Sequence, residues 1–220
     1  MKCDLHVHTS YSYDSSSSPK EMVEAALSKD INCLAITDHN EIMGALEAME
    51  FARGKPILII PGIEIKSKAG DILGLGITTL IPAGLSPEET IKEVKKAGGR
   101  VFIPHPFGFN CAFKEDLIKF IKMIDGIEVL NSSLFGGGNK KALAFAKKYN
   151  LPLSAGSDAH SPEFLGSAYL EISGNNLSIE TIFEKIKNRE VKVRGKEVNF
   201  FEKVVDHSRR NLIRIKNYAG

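Results

Sequence analysis

His6 and His8 stand two residues apart at the close of a short apolar run, in Asp4-Leu-His-Val-His-Thr9. A β-strand repeats every two residues, so both imidazoles leave the same face, stacked along it. Alternation in a strand usually sets one face in a core and the other in water. Two imidazoles on one face suit a shared cation better than either. Asp158 and His160, in Gly156-Ser-Asp-Ala-His160, repeat that spacing far along the chain. Asp14, His39, Glu64, Asp71 and His105 are further residues able to hold a cation. Imidazole mixed with carboxylate, without thiolate, suits zinc, manganese or iron better than calcium or magnesium. The set exceeds what one tetrahedral ion takes, and two or three divalent ions sharing a bridging carboxylate would use it.

These residues need a scaffold that gathers them. β-type apolar runs are expected at the opening segment, Ile31–Ile36, Pro56–Ile60, Asp71–Ile77, Arg100–Ile103, Gly126–Leu130 and Leu151–Ala155. Between them the spacing predicts helices that start at Pro19, run over Glu41–Ala52, start at Ser86 with a capping box, run over Lys114–Lys122, and run from the Gly136-Gly-Gly138 turn through Tyr149. Strands alternating with helices in this way mean βα units and a parallel sheet or barrel. His39, Glu64, His105, Asn131, Asp158 and His160 all fall at or just beyond the carboxyl end of a predicted strand, the edge where such folds build sites. Five of the six histidines lie at strand ends; the exception, His207, reads as a surface or packing residue.

Composition sets the boundaries. At 220 residues, with 43% hydrophobic and 25% charged residues, the chain reads as one soluble domain over residues 1–220. A net charge of +2 marks it neither as a nucleic-acid binder nor as a binder of acidic surfaces overall. Its three cysteines (Cys3, Cys33, Cys111) are odd in number and widely spaced, as for buried reduced thiols. The first strand begins almost at Met1, leaving no room for a signal peptide, and no run reaches the roughly 18 apolar residues of a membrane span. A cytoplasmic protein is expected. The absence of Gln with abundant Lys and Glu also fits a thermophilic source. From Arg189 on, nine Lys/Arg face four acids with apolar residues interleaved. Residues 189–220 therefore read as a basic amphipathic helix packed on the domain, with a nucleic-acid contact or dimer surface as the alternative. The oligomeric state is not readable.

Taken together, Asp4-Leu-His-Val-His-Thr9, Thr37-Asp-His39, Pro61-Gly-Ile-Glu64, His105-Pro106 and Gly156-Ser-Asp-Ala-His160 resemble the motifs of the PHP (polymerase and histidinol phosphatase) domain, in that family's order. The resemblance implies a distorted seven-stranded β/α barrel with up to three metals at the strand carboxyl ends. It implies that His6, His8, Glu64 and Asp158 hold a first metal, that Glu64 bridges to a second with His105, and that Asp14, His39 and His160 hold a third. Asp71 stands where many relatives carry a histidine; as a harder ligand it would favour manganese or iron at the second site.

The chemistry expected of such a cluster is phosphate-ester hydrolysis. Metals about 3.5–4 Å apart lower the pKa of a bridging water to near neutrality and clamp the attacking and leaving oxygens. Neither Gly-x-Ser-x-Gly nor a P-loop is present. The substrate would be a small phosphomonoester, a nucleotide or a nucleic-acid end. Lys66 and Asn131 are candidate substrate contacts, and Phe107 and Phe109 could stack on a base or simply pack. C–N bond hydrolysis by the same hydroxide and a non-catalytic, metal-stabilised accessory module are the alternatives. No general acid is assigned.

Overall fold

The computed structural model describes residues 1–109 and 111–199, and beyond them 202, 208, 210–213 and 215. Its strands are β1 (Lys2–Val7), β2 (Cys33–Ile36), β3 (Leu58–Lys66), β4 (Asp71–Leu75), β5 (Arg100–Ile103), β6 (Gly126–Asn131), β7 (Leu153–Gly156), β8 (Ala168–Ile172) and β9 (Val191–Gly195). The helices are α1 (Pro19–Ser28), α2 (Met43–Phe51), α3 (Pro87–Lys96), α4 (Gly138–Tyr149) and α5 (Ile179–Lys187). α1 and α3 start on the same device. Ser18 and Ser86 accept hydrogen bonds from the Glu21 and Glu89 N–H groups, and those glutamates accept from the cap N–H groups in return.

One sheet runs in the order β7-β6-β5-β4-β3-β2-β1-β8-β9. Its first seven members curl until β7 reaches the carboxyl end of β1. There the Asp158 N–H donates to the His6 carbonyl at 2.8 Å and the His8 N–H to the Ala159 carbonyl at 2.9 Å. Gly156 permits this seam, because a Cβ there would lie 2.4 Å from the His6 Cβ. Asp4 staples it, accepting from the Ser157 N–H, the Ser157 hydroxyl and the Gly166 N–H at 2.8, 2.6 and 2.9 Å. β4 runs antiparallel to both β3 and β5, which distorts the barrel. At its amino end β1 pairs with β8 instead, and β9 extends from β8.

The apolar residues divide by strand alternation. Leu5, Cys33, Ala35, Ile60, Leu73, Leu75, Phe102 and Ala155 line the inside of the barrel, joined by Ile182, Phe183 and Ile186 of α5. Leu34, Ile36, Ile59, Ile63, Ile65, Ile103 and Ile127 face outward under the helices. Along β3 the inner series Ile60, Gly62, Glu64 passes from hydrocarbon to a carboxylate, so the inside of the barrel turns polar toward the strands' carboxyl ends.

The sheet reaches beyond the expected seven-stranded barrel at one edge, and two expectations need correction. The sheet has nine strands among the described residues; β8 and β9 extend the seven-strand ring. Residues 191–195, read as part of a helix, form β9, where Val191 and Val193 alternate with Lys192 and Arg194 at the period of a strand. Lys114–Lys122 holds a single 3-10 turn, Leu117–Lys119, because the Lys114 N–H is drawn to the Ala69 carbonyl and Asp116 caps Ile118. Within the expected terminal helix, residues 202, 208, 210–213 and 215 are helical, with Leu212 and Ile215 exposed. The rest of that expectation, Phe200, Phe201, Val204, Val205 and His207 included, lies outside the described residues. Among the described residues no helix is long and apolar enough to cross a membrane.

Candidate metal centre

Glu64 is the hub. Its Oε1 lies 2.9 Å from His105 Nε2, and its Oε2 lies 3.0 Å from His39 Nδ1 and 3.3 Å from both His6 Nε2 and His8 Nε2. Asp158 faces it from just beyond the carboxyl end of β7, with Oδ1 at 3.2 Å from His8 Nε2 and 3.7 Å from His6 Nε2. Asp14 closes the third side, 3.3 Å from His160 Nε2 and 3.6 Å from His39 Nε2. Eight of the residues singled out by sequence thus converge, with His6, His8, Asp14, His39, Glu64, His105, Asp158 and His160 joined by these contacts. Three sets of donors lie close enough to share an ion: His6, His8 and Asp158; His6, Glu64 and His105; His8, His39 and His160.

Two local irregularities aim these side chains. Leu5 belongs to the inner core, so regular alternation would turn His6 outward. The β1–β2 register shifts between Asp4 and Val7, and His6 faces inward as well. The β6–β7 register likewise shifts between Glu128 and Leu130, which brings Asn131 round to hydrogen-bond Glu128 three residues earlier. His105 and Asp158 have φ of 29° and 53°, left-handed conformations that cost non-glycine residues about 1–3 kcal/mol and gather at functional sites.

A ring of buried groups fixes the imidazoles. Glu128 Oε1 accepts from His6 Nδ1 at 3.1 Å, while its Oε2 accepts from the His105 N–H and from the Asn131 amide. Ser12 donates its one hydroxyl proton to Asp38 at 2.9 Å and accepts from the His39 N–H, so His8 Nδ1, 3.0 Å away, must also donate to it. His160 Nδ1 donates to the Asp158 carbonyl at 3.0 Å. In His6, His8 and His160 the Nδ1 proton is therefore committed, and Nε2 presents a lone pair to the centre. These Nε2 atoms, with Glu64 Oε2 and Asp14 Oδ1, are buried and make no hydrogen bond. Lone pairs facing carboxylate oxygens at 3.2–3.3 Å repel unless a cation or proton sits between them. A metal fits that arrangement, and the donor types fit zinc, manganese or iron.

In the metal-free protein, protons take the place of a cation at several of these groups. Burial opposes charge on every member. Even so, His39 and His6 hold Glu64 well below the usual carboxylate range, and His6 does the same for Asp158. Burial would also raise Asp14, yet His160 and His39 hold it well below that range. His6, His39 and His105 are raised well above the ordinary imidazole value against their burial, His6 by Asp158 and Glu64, His39 by Glu64, His105 by Cys111 and Glu64. His160 goes the other way, pushed down to about 3 by burial and by Arg210.

Two sequence candidates are placed differently from the expectation. Asn131 is fully buried, and its amide bridges Glu128 and Asp158 at 2.9 and 3.2 Å; it orients acids and does not face an open space. Asp71 is held by Lys66, with Nζ at 3.0 Å from Oδ1 and 3.2 Å from Oδ2, so both stand beside the cluster as an ion pair. Sequence reasoning missed Glu128, Ser12 and Arg210. An acid alternating with apolar residues inside β6 was a signal for Glu128. Ser12 gave none in a serine-rich loop. Arg210, whose Nη2 donates to the Asp158 carbonyl at 3.1 Å, is brought in by tertiary packing alone.

The fold and the site together define a distorted α/β barrel whose carboxyl edge carries a buried histidine–carboxylate centre able to hold metal. Residues 4–201 match the PHP domain family, and the chain belongs to it. It is 36% identical over 186 residues to an uncharacterised protein of Methanocaldococcus jannaschii, covering 80% of this chain and 73% of that one. A second uncharacterised protein of the same organism is 39% identical over 142 residues, 60% of this chain and 82% of the other. Among solved structures, a two-domain Bacteroides vulgatus protein containing a predicted PHP-like metal-dependent phosphoesterase superposes with a TM-score of 0.77 at 22% identity, over 89% of this chain and 65% of that one. The lesion-specific endonuclease EndoQ of Pyrococcus furiosus superposes with a TM-score of 0.63 at 16% identity, over 87% of this chain and 57% of the other.

Proposed function

We propose that the chain is a metal-dependent phosphoesterase that hydrolyses a phosphate ester on a small phosphomonoester, a nucleotide or a nucleic-acid end. The observation that carries this is the set of buried lone pairs on His6, His8 and His160 turned toward Glu64, Asp158 and Asp14. We assign His6, His8, Glu64 and Asp158 to a first ion, Glu64 and His105 to a second, and Asp14, His39 and His160 to a third. Asp71 is the least supported ligand, since Lys66 already holds it. When bound, divalent ions of this kind acidify a water and neutralise charge on the phosphate oxygens.

The protein's own part is positional. Glu128 and Ser12 hold the His6 and His8 rings in the ligating tautomer, and Tyr13 stacks on His39 with centroids 4.8 Å apart. Asp71 raises the pKa of Lys66 against its partial burial, so the ammonium stays charged at the rim, where it can meet a phosphate oxygen. We read residues 1–220 as one domain. β8 and β9 continue the barrel sheet, and the Val198 N–H donates to the Ser132 carbonyl at 2.9 Å. For a nucleic-acid end as substrate, the support is a 66-residue stretch that is 41% identical to part of a 5'-3' exoribonuclease of Haemophilus influenzae, 30% of this chain and 24% of that protein.

Chelator-stripped protein, reloaded with manganese, zinc or iron and offered p-nitrophenyl phosphate, a bis-ester, short oligonucleotides and an amide panel, tests the reading. Turnover of a phosphate ester only after reloading, lost in His8→Ala, supports it. Full turnover in the stripped protein, or turnover of amides alone, rejects it.

A further inference from the structure

Phe109 is 81% exposed and Phe135 51%, and their rings lie 6.4 Å apart centre to centre. They ride on the loops leaving the carboxyl ends of β5 and β6, four residues beyond His105 and four beyond Asn131. Phe107, by contrast, turns inward against Phe145.

Both loops are fixed to the centre and to each other. The Gly108 N–H donates to the His105 carbonyl at 3.0 Å, and a Cβ on Gly108 would lie 2.9 Å from Leu134 Cδ2. The Ser133 hydroxyl donates to the Asp158 carbonyl at 3.1 Å. The aromatic pair is therefore carried by backbone that also holds His105 and Asp158.

Two adjacent rings make a small apolar surface, too small for a stable protein interface. They do offer a π-face of the kind on which bases stack whatever their sequence. The surroundings suit a polyanion. The Lys66 ammonium stands at the rim 3.0 Å from Asp71 Oδ1, and the Arg210 guanidinium reaches the Asp158 carbonyl.

We propose that Phe109 and Phe135 form a stacking platform for a nucleobase, so that the centre's substrate is the end of a single-stranded nucleic acid, its base on the rings and its phosphate over the cluster. This rests on the phosphoesterase reading of the same centre.

The test is binding of a fluorescein-labelled eight-thymidine oligonucleotide by the full chain, followed by anisotropy in chelator so that nothing is cleaved. An abasic oligonucleotide of equal length carries the same phosphates without bases. The thymidine strand is expected to bind about tenfold more tightly, a difference erased by Phe109→Ala, not restored by Phe109→Leu and restored by Phe109→Tyr. Because the chain has no tryptophan, Phe109→Trp would add a lone indole whose emission the thymidine strand quenches. Equal binding of the two strands, or none of either, overturns the platform. So does a concentration-dependent dimer that Phe109→Ala abolishes, which would make the rings a contact between copies. The two readings fail separately. Base-dependent binding by a protein that never hydrolyses a phosphate ester would sink the phosphoesterase alone, and an active enzyme indifferent to bases would sink the platform alone.

Discussion

At the scale of the residue, the centre is decided by where protons are not. A histidine ligates through one nitrogen only if the other keeps its proton, and this chain supplies a buried acceptor for that proton at His6, His8 and His160. Glu128 is the clearest case, since one carboxylate holds His6, the His105 backbone and Asn131 together. Glu128→Gln keeps the shape but presents an amide that can donate toward Nδ1 and loosen the ring. We expect metal affinity to fall about 10–100-fold, measured by competition with a chromogenic chelator, while the circular dichroism spectrum stays that of the wild type. Ser12→Ala removes the link between His8 and Asp38 and should cost about tenfold in the same assay. An unchanged affinity in both variants would show that the tautomer locks are not used.

At the scale of the element, the seam between β1 and β7 assembles the site, because it sets Asp158 against His6 and His8. Gly156→Ala would force a Cβ to within 2.4 Å of the His6 Cβ, so the seam must open. We expect a loss of about 1–3 kcal/mol in urea unfolding together with loss of bound metal; stability lost with metal retained would mean that the seam does not position the ligands. The strands and the ligands at their ends were legible because the hydrophobic period switches cleanly between helix and strand, and His or Glu at strand ends has no structural reason to be there. The devices that aim the ligands were not. Bulges in β1 and β6 leave no mark in residue types, and Arg210 arrives by a contact across 52 positions. β9 is hard to read because Lys192 and Arg194 alternate with only two apolar residues, Val191 and Val193, in a basic segment that fits a solvated helix face equally well.

At the scale of the whole molecule, eight ionisable side chains gathered at one end of a barrel, six of them buried and His39 and Asp158 half-buried, make stability depend on pH and on metal. In stripped protein, His6, His39 and His105 are raised above 6.5, so their contribution is complete below 6.5 and is lost as pH rises through the raised values. Glu64, Asp158 and Asp14 are lowered, so theirs is present above the ordinary 4.5 and 3.8 and is lost in acid. His160, pushed down to about 3, also loses stability as pH falls below 6.5. Stripped protein should therefore be most stable in the mildly acidic range and weaken above neutrality. Metal, which competes with protons for the imidazoles, should stabilise increasingly over the same interval. Melting temperatures of stripped and manganese-loaded protein should thus diverge as pH rises from 6 to 8, and parallel curves would count against ligation by these histidines. The most direct test of the centre itself is the number of ions per chain bound by stripped wild-type protein on titration with manganese or zinc, set beside Glu64→Gln. We predict two or three in the wild type, with at least the Glu64-shared ions lost from a variant that still folds. Retention of the full complement by Glu64→Gln, or binding of none by the wild type, would contradict it.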